Sequence, residues 1–392
     1  MNNTNHKVRR QSGFSLVELM VALVLGLILT SGVISVYISS KKTYSLSRAV
    51  GQVQENGRFT LGFMESPIRM AGYSGCNHNG KFWNDLAGGS TTSFDLSKAI
   101  EGYEYTGTGI GDSYTISTTS LAPANNAASW SPNLPSDVQT AIGGTGTGSV
   151  LAGSDIIVLH EASNNGFGLV SPYQDSAGVF VNPTDAAQLQ VGELAVITDC
   201  QNSSLFQITA ANISSGRVDH SNASLVPGNA VSNWNPGGKQ NAQSYGAGAQ
   251  LLFFNTYVFY IGKGVDGGPS LYDVTIGAGN VAGALGAPQE LVSGVESMQV
   301  VYGVDTNGDK IPDNFQTADT ITDWTKVVCV RIALLTRSDD ASLDVMPSSA
   351  PSFIVLGNSD TDAANGLTLT SIQDRRLRKV FTETISIRNV LQ

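Results

Sequence analysis

Residues 13–40 read GFSLVELMVALVLGLILTSGVISVYISS, and this stretch decides how the rest of the chain is read. From Phe14 to Ser40 the only charged residue is Glu18, and Leu19–Ile38 is apolar apart from a few Gly, Ser, Thr and Tyr residues. As a helix, that run is long enough to cross the ~30 Å hydrocarbon core of a bilayer. The preceding residues, MNNTNHKVRRQSG, contain Lys7, Arg9 and Arg10 and no acid. A basic flank stays on the cytoplasmic side, so the bulk of the chain is expected on the far side. A secretory signal would have an apolar region of about 7–15 residues and a small-residue cleavage site after it. Here the run is longer and no such site follows. A plain membrane anchor explains the length. It does not explain Glu18, a carboxylate set in the apolar run with no evident local partner, where ionisable groups are costly and mark function.

The hexapeptide Gly13-Phe14-Ser15-Leu16-Val17-Glu18, behind a short basic leader and ahead of a long apolar segment, resembles the class III signal of type IV prepilins and pseudopilins. The resemblance implies cleavage after Gly13, N-methylation of the new terminal Phe14, and Glu18 as the fifth residue of the processed chain. Cleavage before Phe14 would leave a cationic amine at the membrane face. Glu18 of the same or a neighbouring subunit would neutralise it in a low-dielectric bundle, where an unpaired charge costs several kcal/mol.

The helical pattern continues past the membrane. Val50, Val53, Leu61, Met64 and Ile68 recur at helical spacing with Gly57 in one gap, and Lys41, Lys42, Arg48 and Arg58 fall largely between them. Pro67 and Gly72 mark the expected end. A helix from Phe14 to Ile68 would be roughly 80 Å long. An amphipathic core helix and the rear half of a pilin stalk predict the same pattern here.

Four further stretches narrow the resemblance to the PilW family of type IV pilus minor pilins. They are Gly57-Arg58-Phe59 with Pro67-Ile68-Arg69-Met70-Ala71-Gly72-Tyr73-Ser74-Gly75-Cys76; Thr198-Asp199-Cys200 with Leu205-Phe206-Gln207-Ile208-Thr209; Gly294–Asp305; and the closing Val380-Phe381 with Ser386-Ile387-Arg388-Asn389. The Gly/Ser/Thr-rich parts around 104–150 and 221–248 match no motif.

The chain has 392 residues, a net charge of −10 and 43 glycines; only 14% of its residues are charged, against about 25% in an average soluble domain. Acidity disfavours a direct nucleic-acid binder, which needs a basic footprint. Strand-like alternation or β-branched runs occur at 113–119, 155–160, 193–198, 205–210, 250–261, 297–304, 326–336 and 380–388. Residues 143–148 and 262–268 read as turns or loops. The expected architecture is α+β, a pilin-like lollipop: a leader at 1–13, a helix at 14–70 whose first half spans the membrane, and one β-rich head at 71–392, divided at most between two sheets.

The three cysteines are Cys76, Cys200 and Cys329. An exported head can oxidise. Any one of three pairings leaves one thiol over, and all three residues could equally be small buried apolar groups. Because Cys76 and Cys200 both lie in family-like stretches, their pairing is favoured. In a strand, Val328, Val330, Ile332 and Leu334 would form one face and Cys329 would share the other with Arg331.

Asp305-Thr306-Asn307-Gly308-Asp309-Lys310-Ile311-Pro312-Asp313 has the oxygen spacing of a Ca²⁺ loop. Asp305, Asn307, Asp309 and Asp313 would supply side chains and Ile311 its carbonyl. It departs from the EF-hand at Lys310, where glycine is expected, and at Gln316, where a bidentate glutamate is expected; an acidic turn between strands is the competing reading. Tyr272–Ala282 imitates a dinucleotide-binding turn, but Gly283, Gly286 and Pro288 interrupt the helix that such a fold needs. His6, His78, His160 and His220 have no partner at zinc spacing. No nucleophile elbow is present, and the scattered Asp and Glu residues read as solvated loop charges.

The resemblance therefore implies a non-enzymatic chain processed by the prepilin peptidase. It would assemble on an inner-membrane platform with other minor pilins into a tip complex that primes the major pilin and carries a PilY-type adhesin. A head this large suits few copies near a tip better than many along a shaft. A J-type pseudopilin of type II secretion shares the signal and a β-rich head. A tip-exposed module that binds a host surface, phage or DNA is the alternative of another class.

Overall fold

The computed structural model describes residues 13, 15–77, 81–87, 94–95, 97–117, 127–221, 225, 227–230, 244–276, 286–343, 346–357 and 365–390. Its first element is a helix of 55 residues, Leu16–Met70, about 80 Å long. Pro67 is tolerated in the last turn, and Gly72, at φ +75°, turns the chain away from the axis so that its N–H donates to the His160 carbonyl at 2.7 Å. Up to Thr43 the side chains are all exposed. Beyond it, Ala49, Val53, Gly57, Thr60, Leu61, Met64 and Ile68 are buried against the head.

The buried stripe differs from the expected one at Val50, which is exposed while Ala49 is buried, and it also takes in Thr60. The reason lies in the partner. Gly57 packs against the ring of Phe381, where a Cβ would come within 2.5 Å of the ring carbons. That contact sets the rotation of the helix, and Ala49 and Val53 follow from it at intervals of four residues.

The helix rests on an antiparallel four-stranded sheet in the order Asn314–Gln316, Val295–Val304, Val327–Arg337, Arg378–Ser386. Val330, Ile332 and Leu334 face the helix core with Met64 and Ile68. Ala333 and Leu335 face a second cluster under a three-stranded sheet of Ser352–Val355, Leu367–Thr370 and Ser113–Thr115. Alternation along Val327–Arg337 therefore holds, with both faces covered, and Cys329 is a buried free thiol beside half-buried Arg331.

The rest of the head is a twelve-stranded sheet built around Gln250–Lys263 and Ile156–Gln174, which pair antiparallel. Its path runs from the edge strand Lys81–Asn84 through Asn202–Gln207 and Leu194–Thr198 to these two, then out to Arg217–Asp219 and Ala210–Asn212. Among the described residues the head thus has three sheets, where a single head divided at most between two was expected. The architecture is α+β, a long apolar helix on a large β-rich head. Gly102 lies under the fully buried Tyr302, whose hydroxyl would sit 1.9 Å from an added Cβ. Glycine is required there so that the two sheets can approach.

Candidate functional site

The N-terminal end of the helix is built by local chemistry. Ser15 is the N-cap: its Oγ accepts from the Glu18 N–H at 3.2 Å, and its own N–H donates to Glu18 Oε2 at 3.0 Å. This is a capping box, in which a Ser and a Glu three residues on satisfy each other's free donors. Glu18 therefore does have a local partner, contrary to the expectation from the apolar run; the Ser-x-x-Glu spacing in GFSLVE was the missed signal. Gly13 is exposed with open space around it. Phe14 lies outside the described residues. The helix behind this cap is long and apolar enough to cross a membrane, and its most apolar segment is wholly unburied.

Cys76 and Cys200 form a disulfide that closes a separation of 124 residues. Cys76 sits in the turn after the helix. Cys200 sits between Leu194–Thr198 and Asn202–Gln207 in left-handed conformation, φ +70°, with its N–H donating to Thr198 Oγ1 at 3.3 Å. The bond staples the rear of the helix to the large sheet.

Asp305–Asp313 is the connection of a β-hairpin between Val295–Val304 and Asn314–Gln316. Asp305 accepts from the backbone N–H groups of Asn307, Gly308 and Lys310 at 3.1, 2.6 and 2.8 Å. Burial pushes its carboxyl up, but these donors outweigh burial and hold it below its ordinary value. Asp313 is held low first by the hydroxyl and then by the N–H of Thr306, at 2.5 and 2.7 Å. Asn307 Oδ1 accepts from the Asp309 N–H, and Asp309 Oδ1 from the Ile311 N–H, both at 2.9 Å. Lys310, at φ +69° where glycine was expected, sends its Nζ to the Val390 carbonyl at 2.7 Å. The loop is a set of hard-oxygen donors closed on its own amides. Among the described residues no group of three or more His, Cys, Asp or Glu is placed to hold a metal ion.

Several acids expected to be solvated are buried instead. Glu296 lies between Arg378, whose Nε and Nη2 donate at 2.7 and 2.9 Å, and Arg337 at 3.5 Å; Asp374 completes the network on Arg378. Glu104 and Asp155 are buried near each other. Desolvation raises both; Asp155 alone is compensated by two backbone donors, from Tyr105 and Val300, so Glu104 is the one held protonated. Glu101 approaches the buried His160 at 3.5 Å and pairs with Lys98 at 2.8 Å. Lys98–Glu101 and Asp374–Arg378 are local pairs, but the partners of Glu296 come from distant segments, and a single acid within an apolar strand, Val295-Glu296-Ser297-Met298, was its sign in the sequence. Tyr272 stands in an antiparallel strand, Pro269–Ile276, and not in a parallel dinucleotide-binding unit; the glycine-rich residues 277–285 lie outside the described residues.

A family model of the type IV pilus-assembly protein W matches residues 258–389, and a model of the prokaryotic N-terminal methylation motif matches residues 8–34. They cover the GFSLVE signal, the Gly294–Asp305 stretch and the closing strand; the stretches at 57–76 and 198–209 lie outside both. Among solved structures, a type IV-like pilin from Thermus thermophilus matches at 13% identity, over 53% of this chain and 90% of that one, with a TM-score of 0.21. No match was found among curated proteins.

Proposed function

We propose that this chain is a minor pilin of the type IV pilus, cut after Gly13, methylated at Phe14 by the prepilin peptidase, and assembled into a tip complex that primes the major pilin. The observation that carries this reading is the divided helix. Its front half is apolar and wholly exposed behind a prepilin signal, while its rear half is part of the core of a large head. Such a helix can live in a membrane or in a bundle of like helices without disturbing the head.

In this role Glu18 neutralises the new N-terminal amine. Its carboxylate accepts from the Ser15 N–H at the front of the helix. The head faces the periplasm before assembly and the pilus tip afterwards, where other minor pilins and a PilY-type adhesin are its partners. The inner-membrane platform delivers it, and no catalysis is assigned to the chain. The match to the pilus-assembly family over residues 258–389 favours this reading over a J-type pseudopilin. The Asp305–Asp313 loop is proposed as a structural Ca²⁺ loop held by Asp305, Asn307, Asp309, Asp313 and the Ile311 carbonyl; calorimetry with no binding at millimolar Ca²⁺ would reject it.

The test is Glu18→Val in the native strain. Membrane insertion should survive and surface piliation should fail. Normal piliation refutes the role given to Glu18. Loss of secretion with normal piliation on deleting the chain would favour the pseudopilin, and loss of adhesion alone would favour a binding module.

A further inference from the structure

Apart from the signal, the disulfide and the acidic loop, the molecule has a cleft where the helix leaves its apolar segment. Two cavities meet there, at the shared wall residue Ser342. One, about 120 Å³, is lined by Lys41, Ser45 and Arg48 of the helix and by Ser338, Asp340 and Ser342 of the head. The other, about 310 Å³, lies between Lys42, Thr43 and Leu46 of the helix and Ser342 and Leu343 of the head. The head wall is fixed to the helix one turn further on, where Gln52 donates to the Asp339 carboxylate and accepts from its N–H at 3.3 Å. The cleft is therefore part of the fold.

Part of its charge is unspent: Lys42 has a partner, but the side chains of Lys41 and Arg48 have no ion-pair or hydrogen-bond partner among the described residues. Among the described residues Asp340 is the one acid on the walls, and it pairs with neither. Two free cations and several hydroxyls around one acid make a site for a doubly coordinated anion, and phosphate oxygens match such donors.

Its depth identifies the source of the anion. Lys41 lies three residues past Ile38, about 4–5 Å along the axis, and the headgroup layer of one leaflet is roughly 5–7 Å thick. Arg48 lies about 15 Å past Ile38, outside that layer at its backbone, so it forms the upper wall of the cleft, and its side chain leans toward the N-terminus, here toward the bilayer. Tyr37 and Tyr44, both exposed, bracket the same level as interfacial aromatics do.

The distribution of basic residues supports a role apart from topology. Lys7, Arg9 and Arg10 are the only Lys or Arg residues before the apolar run, and Lys41, Lys42 and Arg48 are the first after it. Cleavage after Gly13 would remove every basic residue on the inner side and keep all those on the outer side. The retained set runs against the orientation rule for a membrane helix, so it does not serve insertion.

We infer that the cleft between Ser39–Gln52 and residues 338–343 binds the phosphate of one anionic phospholipid of the outer leaflet, held by Lys41 and Arg48 until the helix leaves the membrane. The inference rests on the membrane reading of the proposed function. The test uses the full processed chain in vesicles of phosphatidylcholine alone and of phosphatidylcholine with phosphatidylglycerol in equal parts. Flotation comes first: a chain that does not float with either vesicle refutes the membrane reading itself. For a chain that floats, native mass spectrometry on extracted protein should show about one retained phosphatidylglycerol per chain, with Lys41→Gln/Arg48→Gln lowering retention roughly 30-fold and Lys41→Arg/Arg48→Lys restoring it. An intact Cys76–Cys200 bond in the variant certifies the fold. Equal retention of both lipids, or undiminished retention in the Gln variant, overturns the inference. So does full displacement by millimolar inorganic phosphate, which would make the cleft a phosphate-ion site. Retention only of an acidic pilin in co-purification, with no lipid, would assign the same cations to a protein partner and also overturn it.

Discussion

The disulfide gives the prediction that can be worked furthest. Cys76 and Cys200 are 124 residues apart, and the enclosed chain includes both central strands' first member, Ile156–Gln174, and most of the path to the sheet edge. In the chain-entropy account, closing a loop of this size stabilises the fold by about 5 kcal/mol by restricting the unfolded chain. Measured values for native disulfides run from about 2 to 5 kcal/mol. Against a total stability of 5–15 kcal/mol for a domain, that is a large share. A second, smaller effect opposes it: Cys200 has φ +70°, and a left-handed non-glycine residue costs roughly 1–2 kcal/mol.

The two effects can be separated. In the detergent-solubilised full chain, denaturant unfolding followed by tryptophan fluorescence should show Cys76→Ser/Cys200→Ser less stable than the oxidised parent by about 2–5 kcal/mol. Cys76→Ser/Cys200→Gly should recover about 1 kcal/mol of that loss, because glycine adopts the left-handed conformation freely. Dithiothreitol should destabilise the parent and leave both variants unchanged. Cys329→Ala serves as the control for the buried third thiol. A double serine variant within about 1 kcal/mol of the parent refutes the loop-closure argument, and a glycine variant no better than the serine variant refutes the strain argument.

Two further perturbations test the buried charges. Arg378→Met leaves Glu296 without its main partner and should cost about 3–5 kcal/mol in thermal or denaturant unfolding, whereas Arg378→Met/Glu296→Leu should recover most of it. Asp85 is buried with neither carboxylate oxygen hydrogen-bonded, and desolvation pushes its carboxyl up to about 7. Because the folded value lies above the unfolded one, stability is full below the ordinary carboxylate value near 3.8 and is lost as pH rises toward 7. Asp85→Asn should therefore gain on the parent by a few kcal/mol between pH 4 and 7 and run parallel to it above; a gap independent of pH would refute the assignment.

How far the sequence could be read depended on whether each feature was decided locally. The helix was legible because apolar length, the GFSLVE signal and the 3.6-residue period all lie along one segment. The misplacement of Val50 for Ala49 in its stripe came from a contact that no period encodes: Phe381, more than three hundred residues away, lies in the gap at Gly57. Most long strands were visible from their β-branched runs, but Pro269–Ile276 was not among them and only the start of Ile156–Gln174 was seen. Three- and four-residue strands such as Lys81–Asn84 and Arg217–Asp219 were not, since their pairing is decided by partners elsewhere in the chain. The same holds for the buried charges. Glu296 meets Arg378 across 82 residues of chain, and only the sheet register brings them together. At the acidic loop, spacing gave the donor set, while the structure shows those donors turned onto their own amides.

The divided helix limits how the chain can reach a filament. Sixteen large apolar side chains between Leu16 and Ile38 are exposed. At about 1.5–3 kcal/mol for each, passing them through water would cost on the order of 30 kcal/mol, more than a fold of this kind could supply. In the proposed role the front half must therefore pass directly from lipid to other helices. Apolar burial is nearly the same in both places, so it does not drive that exchange. In the proposed role a charged group does: Glu18 is costly in hydrocarbon and would cost much less where the cationic amine of a neighbouring subunit neutralises it. Replacing Glu18 with valine leaves the lipid-embedded state intact and removes the difference that draws the helix out of it. That is why the variant is expected to insert normally and fail only at assembly.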